Sequence, residues 1–261
     1  MSVPPRSTGT GSAADASDVR AGRAQPSTAM LGDAAVIVWN DVTDEGRSRF
    51  YAWHDREHIP ERLAIPGFRR GRRYIRPGHS PEWLTLYEAS DLGVVTSPAY
   101  LARLNAPTAA TRATLPYFRN TSRAVCRLAA SMGSSSGGHV LALRIDAGPA
   151  AAAALQSALA SRILPRRMEE SGIVACHLYA ADAGASHTDT AESRTRTFDV
   201  PAWVVLVEAT TAAAAARSRA AFDDRELTAL GAVIRADGAV YALEICRLPM
   251  PAGDDWRDAT A

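Results

Sequence analysis

The predicted secondary structure of this chain occurs twice, once on either side of a short segment at 131–138. That segment reads S-M-G-S-S-S-G-G, a composition typical of a flexible linker. Before it, apolar runs, turn residues and helical periodicity predict a strand, a helix, two strands, a helix and a strand, at Ala34 to Trp39, Glu45 to Leu63, Phe68 to Arg76, Glu82 to Glu88, Ser97 to Asn105 and Thr121 to Leu128. After it the same order is predicted, at Val140 to Ile145, Pro149 to Glu170, Ile173 to Ala180, Ala202 to Val207, Ala212 to Leu230 and Ala239 to Leu248. The repeat is one of element order and not of residues.

Each half therefore reads as a ferredoxin-like β-α-β-β-α-β unit of the α+β class. A four-stranded sheet with its helices on one face leaves the other face apolar and uncovered. Two such sheets in one chain cover each other, so we expect two tandem repeats forming an intramolecular dimeric α/β-barrel. The predicted organisation is a disordered leader at 1–30, a first repeat at 31–130, the linker at 131–138, a second repeat at 139–249 and a tail at 250–261.

Composition limits the kinds of partner. The formal net charge of +1 provides no basic field for nucleic acid or for an anionic membrane surface. No stretch approaches the length of about 20 apolar residues that a membrane-spanning helix needs. Three cysteines are too few and of the wrong parity for a disulfide scaffold. We therefore predict a cytoplasmic protein that binds neither nucleic acid nor membrane, a monomer with a pseudo-dimeric core or a weak homo-oligomer.

The first predicted helix carries polar residues where packing alone would not place them. At 100° per residue, one face holds Phe50, Trp53, His54, Glu57 and Glu61, with His58 at its edge. The aromatic residues mark this face as the one turned to the sheet, where unpaired charge is costly. The next strand is rich in arginine, and alternation sends Arg70, Arg72 and Tyr74 to one side and Arg69, Arg73 and Ile75 to the other.

Two interpretations of this cluster are open. In the first, Glu57 and Glu61 pair with the strand arginines and only fix the helix against the sheet. In the second, a pocket lies between helix and sheet, with a histidine as acid or base near neutral pH. Pro60 favours the second for His58, because it cannot donate to the carbonyl of Arg56 and should bend or end the helix there.

The same residues resemble a known family. The spacing Trp53-x-x-x-x-His58-x-Pro60, followed by Pro66-Gly67-Phe68, is similar to the pattern of EthD-like proteins in the dimeric α/β-barrel superfamily. The resemblance covers roughly Asp33 to Leu128. It implies a small hydrophobic pocket. Members of the family include cofactor-independent monooxygenases and cyclases that act on aromatic polyketides, as well as proteins of unknown activity. By position, His58 matches the family histidine, whereas the corresponding helix of the second half has neither His nor Trp.

The resemblance implies a cofactor-independent small-molecule enzyme, a monooxygenase, a cyclase or a related acid/base catalyst, that acts on an aromatic or carbonyl-bearing substrate. The predicted catalytic residues are His58, His54 and Glu57. The predicted substrate-binding residues are Trp53, Phe50, Arg73, Tyr74 and Glu61. The alternative is a non-catalytic binding or accessory protein with the same pocket. No cofactor and no metal is predicted.

A zinc site is a minor alternative. His54, Glu57 and His58 match H-x-x-E-H, in which histidines four residues apart on a helix hold one zinc ion. Pro60 disturbs the helix within one turn of the second histidine, and no comparably clear third ligand follows, although Glu88 is a candidate. Such a short match arises easily by chance, so we do not expect zinc here.

Overall fold

The computed structural model describes residues 29–186, 200–235 and 238–250. The predicted leader and tail therefore lie outside the described residues, except for Ala29, Met30 and Met250. Ala29 and Met30 are buried against the rest of the molecule, unlike a disordered leader. We keep 31–130 and 139–249 as the proposed limits of the two repeats.

The first half contains four strands and several short helices. The strands are β1 (Ala34–Val42), β2 (Phe68–Ile75), β3 (Trp83–Ala89) and β4 (Phe118–Met132). The helices are α1 (Arg47–Trp53), α2 (Ile59–Leu63), α3 (Leu92–Val95), α4 (Pro98–Asn105) and α5 (Ala109–Thr114). A π-helical turn at His54–His58 joins α1 to α2, so the predicted single helix contains an irregular turn just before Pro60.

The second half follows the same order with one extra short strand. Its strands are β5 (His139–Ala147), β6 (Ile173–Ala181), β7 (Trp203–Ala209), β8 (Ala232–Ile234) and β9 (Ala239–Arg247). Its helices are α6 (Pro149–Ala158), α7 (Leu164–Met168), α8 (Ala183–Ser186), α9 (Ala212–Ala221) and α10 (Asp224–Ala229). The predicted helix at 212–230 is divided because Asp223 leaves the helix and caps the start of α10.

Eight of the described strands close into an antiparallel barrel, in the order β1-β3-β2-β9-β5-β7-β6-β4 and back to β1. The two sheets meet at two hydrogen-bonded seams, β2 with β9 and β4 with β6. The barrel interior contains apolar and aromatic side chains from both halves, including Trp39, Leu84, Tyr179, Leu206 and Tyr241. The helices cover the outside. The predicted fold class is confirmed.

Corresponding positions of the two halves carry some of the same residues. The first helix of each half contains a π-helical turn, and a proline follows the turn after one intervening residue. The turn is His54–His58 before Pro60 in the first half and Leu159–Ile163 before Pro165 in the second. Strands β3 and β7 share the pattern W-x-x-L-x-E-A, from Trp83 to Ala89 and from Trp203 to Ala209. The structure thus corrects the expectation that the repeat is absent from the residues. Among the described residues, no helix has the length and apolarity required to cross a membrane.

Candidate functional site

The π-helical turn brings both histidines of the first helix to the sheet-facing side. One extra residue in the turn changes the helical phase, so His58 leaves the edge of the face, where a regular helix would place it. His54 and His58 are 4% and 8% exposed, and their rings stack with centroids 5.6 Å apart. The irregular turn therefore builds a buried pair of imidazoles between helix and sheet.

His54 is held by two side chains from the sheet. Its Nδ1 lies 2.9 Å from Arg73 Nη1, and its Nε2 lies 3.0 Å from the hydroxyl oxygen of Tyr87. Arginine can only donate, so Nδ1 is the acceptor and Nε2 carries the hydrogen that is donated to Tyr87. Burial and the charge of Arg73 lower the pKa of His54 well below its ordinary value. His54 is therefore neutral and is suited to position Tyr87 rather than to accept a proton.

Arg73 connects this cluster to the second half of the chain. Its Nε donates to Glu244 on β9 at 2.8 Å, and its Nη1 donates to Asp55 as well as to His54. Its guanidinium lies 5.4 Å from the centre of the Phe50 ring, a cation–π contact. Two carboxylates thus balance the charge that faces His54.

His58 faces a small, partly open cavity. Its ring packs on Trp53 with centroids 4.3 Å apart. The cavity has a volume of about 30 Å³, room for one or two water molecules or for the end of a larger molecule. Its walls combine hydrogen-bonding and apolar side chains, contributed by His58, Tyr87, Tyr100, Arg62, Arg123, Val36, Val38, Phe68 and Leu104.

A larger groove lies on the other side of Trp53, between α1 and α5. It has a volume of about 670 Å³ and is open to solvent. Trp53 lines it, and the indole nitrogen donates to Thr111 at 3.0 Å. Glu57 also lines the groove, where its carboxylate accepts from the hydroxyl of Thr108. Trp53, which contacts His58 and also lines the groove, therefore separates the groove from the histidine.

The other predicted site residues have different surroundings. Phe50 is buried against His54, with ring centroids 5.0 Å apart. Glu61 pairs with Arg103 on α4 at 3.1 Å. The simpler interpretation pairs Glu57 and Glu61 with the arginines of β2. In the structure, Glu57 accepts a hydrogen bond from Thr108, and Glu61 forms an ion pair with Arg103. Tyr74 points into the barrel interior, on the face of β2 opposite to Arg73, so the structure does not bring it to the cluster.

Sequence reasoning missed Tyr87. Alternation along β3 was the available signal, because Trp83, Thr85 and Tyr87 share one face while Leu84, Leu86 and Glu88 share the other. The aromatic tryptophan marks that face, but which strand residue reaches the histidines depends on the register of β3 between β1 and β2. Glu88, the candidate third zinc ligand, is on the opposite face and binds Arg70 at 2.7 Å.

The geometry also bears on zinc. Both ring nitrogens of His54 have partners, and one of them is the cationic Arg73. Within the described parts of the chain, no three side chains of His, Cys, Asp or Glu are grouped as metal ligands. Of the H-x-x-E-H residues, His54 and Glu57 therefore form hydrogen bonds to protein groups, and His58 packs against Trp53.

The second half shows how the same framework packs without a polar cluster. The positions of His54 and His58 are occupied by Leu159 and Ile163, at the two ends of the second π-helical turn. The strand positions of Arg73 and Tyr87 correspond, by register, to Leu178 and Val207. All four are buried in an apolar core. The fold itself therefore does not require the polar residues of the first half.

Comparison with known proteins supports the fold. No protein-family model matches the chain, and no curated protein matches it in sequence. An anthrone oxidase-like protein of known structure superposes with a TM-score of 0.56 at 10% identity, covering 86% of this chain and 96% of that one. The chain has the dimeric α/β-barrel fold.

Two further α/β-barrel structures resemble this chain with a TM-score of 0.50, the lowest value at which we compare overall folds. A variant of chlorite dismutase from Candidatus Nitrospira defluvii has a TM-score of 0.50 at 10% identity, covering 82% of this chain and 92% of its own. A protein from Lactobacillus acidophilus NCFM, provisionally named a monooxygenase, has a TM-score of 0.50 at 8% identity, covering 83% and 96%. At such identities the likeness concerns the dimeric α/β-barrel alone.

Proposed function

We propose that this chain is an EthD-like small-molecule enzyme in which His58 is the general acid/base. The observation that carries the proposal is the contrast between the halves. His54, His58, Arg73 and Tyr87 form a buried polar cluster at positions where the second half has Leu159, Ile163, Leu178 and Val207. Departures from simple packing of this kind concentrate at functional sites.

The lining of the cavity supports a substrate with a reactive oxygen. His58 faces a space into which Tyr87 and Tyr100 also extend, beside Arg62 and Arg123. Hydroxyl, imidazole and guanidinium groups stabilise a carbonyl oxygen that gains negative charge during proton transfer. His54 donates to the oxygen of Tyr87, which turns the tyrosine's own hydrogen away from His54. We propose that Tyr87 assists His58 in this way, without a cofactor.

The test uses anthrone first, because an anthrone oxidase-like protein shares the fold, and then hydroxylated aromatic and 1,3-dicarbonyl compounds. Oxygen uptake and product formation are followed for the wild type, His58→Gln and His58→Ile. The second variant introduces the residue of the corresponding position, Ile163. Both variants should lose about 10²–10⁴-fold in turnover, the usual contribution of an acid/base, while remaining folded.

The exposed His79 provides a matched control, and His79→Gln should retain full activity. Turnover by His58→Gln equal to that of the wild type would show that His58 is not the acid/base. Thermal unfolding of each variant separates loss of chemistry from loss of structure.

A specific observation favours a second candidate, a non-catalytic binding protein. The cavity of about 30 Å³ does not admit an aromatic ring. In that case a ligand would bind with equal affinity to the wild type and to His58→Gln, and neither protein would convert it. The monomeric state and the cytoplasmic location remain predictions.

A further inference from the structure

The groove between α1 and α5 has the size of a ligand site and a distinct arrangement of side chains. Its volume of about 670 Å³ falls in the range of small-molecule sites. The small residues Ala52 and Ala110 and the aromatic residues Trp53 and Tyr117 are among those that line it. Aromatic side chains in the wall of an open groove suit a ligand with a planar ring system.

Two arginines give the groove its charge preference. Arg49 on α1 and Arg56 in the π-helical turn both line the groove together with Ala52. Both arginines are exposed, and neither forms an ion pair within the described residues, whereas most of the buried arginines of this chain are paired. Of the two carboxylates in the groove, that of Glu57 is bound by Thr108, and that of Glu45 lies one turn before Arg49.

We propose that this groove binds a planar aromatic anion, with its rings near Trp53 and Tyr117 and its acidic group on Arg49 and Arg56. In taking this ligand to be the substrate, the inference rests on the proposed function. Trp53 is then the boundary between the bound rings and His58, since it contacts both the groove and the imidazole.

Two dyes with the same ring system test the charge preference. Binding of 8-anilinonaphthalene-1-sulfonate is compared with that of N-phenyl-1-naphthylamine, which lacks the sulfonate, by fluorescence titration of the full chain. The wild type should bind the sulfonate more tightly, and the difference should decrease at high salt because exposed charges are screened. In Arg49→Gln/Arg56→Gln, sulfonate affinity should fall by about fivefold to tenfold, as expected for two exposed ion pairs, with little change for the neutral dye.

A second pair of variants tests the location. Ala52→Trp places a large side chain in the wall of the groove and should weaken the binding of both dyes by at least about tenfold. Ala102→Trp makes the same change at an exposed alanine on α4, outside the groove, and should leave both affinities unchanged. Thermal unfolding confirms that each variant is folded.

The outcomes separate this inference from the proposed function. Three results would each overturn the groove assignment. The wild type could bind both dyes with equal affinity, Arg49→Gln/Arg56→Gln could lose the same affinity for both dyes, or Ala52→Trp could bind both dyes with the affinity of the wild type. None of these results concerns His58. Conversely, His58→Gln should bind both dyes as the wild type does. A turnover assay that shows no catalytic role for His58 would therefore not contradict the groove assignment.

Discussion

His54 is a buried histidine whose chemistry is decided by its two partners. Arg73 can only donate to it, and Tyr87 receives its remaining hydrogen. A second buried histidine, His177 in β6, hydrogen-bonds Ser131 at 2.8 Å and lies 3.4 Å from Glu208. Burial lowers the pKa of His177 too, although Glu208 opposes the shift. Both side chains are therefore neutral in the folded protein near neutral pH.

This state predicts how stability depends on pH. In the unfolded chain both histidines take up protons below about pH 6.5, their ordinary pKa, whereas in the folded chain their lowered pKa values delay protonation to lower pH. The free energy of unfolding should therefore fall as pH decreases from about 7 to 5, by up to about 1.4 kcal/mol per pH unit for each histidine. Urea unfolding at a series of pH values measures this slope.

Substitution assigns the slope to a residue. His54→Gln should reduce the slope, whereas His79→Gln at an exposed position should leave it unchanged. A slope that is the same in His54→Gln as in the wild type would show that His54 is protonated in the folded state.

At the scale of elements, both halves place a π-helical turn directly before a proline-containing turn. Pro60 and Pro165 lack the N–H that would continue a regular helix, and the wider turn accommodates this. In the first half the turn presents His54 and His58 to the sheet, and in the second it presents Leu159 and Ile163. The same backbone irregularity is therefore combined with a polar cluster in one half and an apolar core in the other.

Replacing the two prolines in parallel separates structure from function. Pro60→Ala and Pro165→Ala each restore an N–H and should change the free energy of unfolding by similar amounts. Each change should be at most about 3 kcal/mol, the difference between proline and alanine in a helix interior. Only Pro60→Ala should reduce turnover, because only there does a change of helical phase move His58 from its cavity. Equal loss of turnover in both variants would indicate a general effect on the barrel.

At the scale of the whole molecule, a buried ionic network joins the two halves inside the barrel. Arg72 of β2 donates to Glu208 of β7 at 2.7 Å and lies 3.1 Å from Glu88, which also binds Arg70. Each glutamate also accepts a backbone N–H from the segment before the first strand of its own half, Leu31 for Glu88 and Gly137 for Glu208. Burial alone would raise the pKa of Glu208, but His177 and Arg72 hold it at about 2.

Removing one partner of this network should be costly. Glu208→Ala leaves Arg72 buried with fewer partners and should lower the free energy of unfolding by about 3–5 kcal/mol. Asp224→Ala breaks the surface pair with Arg219 and should change it by at most about 1 kcal/mol. Chemical denaturation of both variants at pH 7 makes the comparison. Equal small changes would mean that the network contributes little to joining the halves.

The element order and the fold class could be predicted from the sequence because both depend on local signals. Alternating apolar residues, the turn at Pro66-Gly67 and the proline at the start of α4 act within a few residues of themselves. Helical spacing also placed Trp53, His54 and Glu57 on one face, and alternation already put Arg73 and Tyr74 on opposite sides of β2. A site that included both of those strand residues was therefore inconsistent with the pattern itself, and the structure leaves Tyr74 in the barrel interior.

The partners of these residues could be decided only by the tertiary structure. His58 reaches its cavity because a π-helical turn changes the helical phase, and no residue pattern before Pro60 specifies that turn. Tyr87 contacts His54 because β3 pairs in one register between β1 and β2. Glu61 meets Arg103, and Arg72 meets Glu208, across 42 and 136 positions of the chain. Strand pairing and side-chain contacts at such separations depend on how the whole barrel closes, whereas local propensity acts only along the chain.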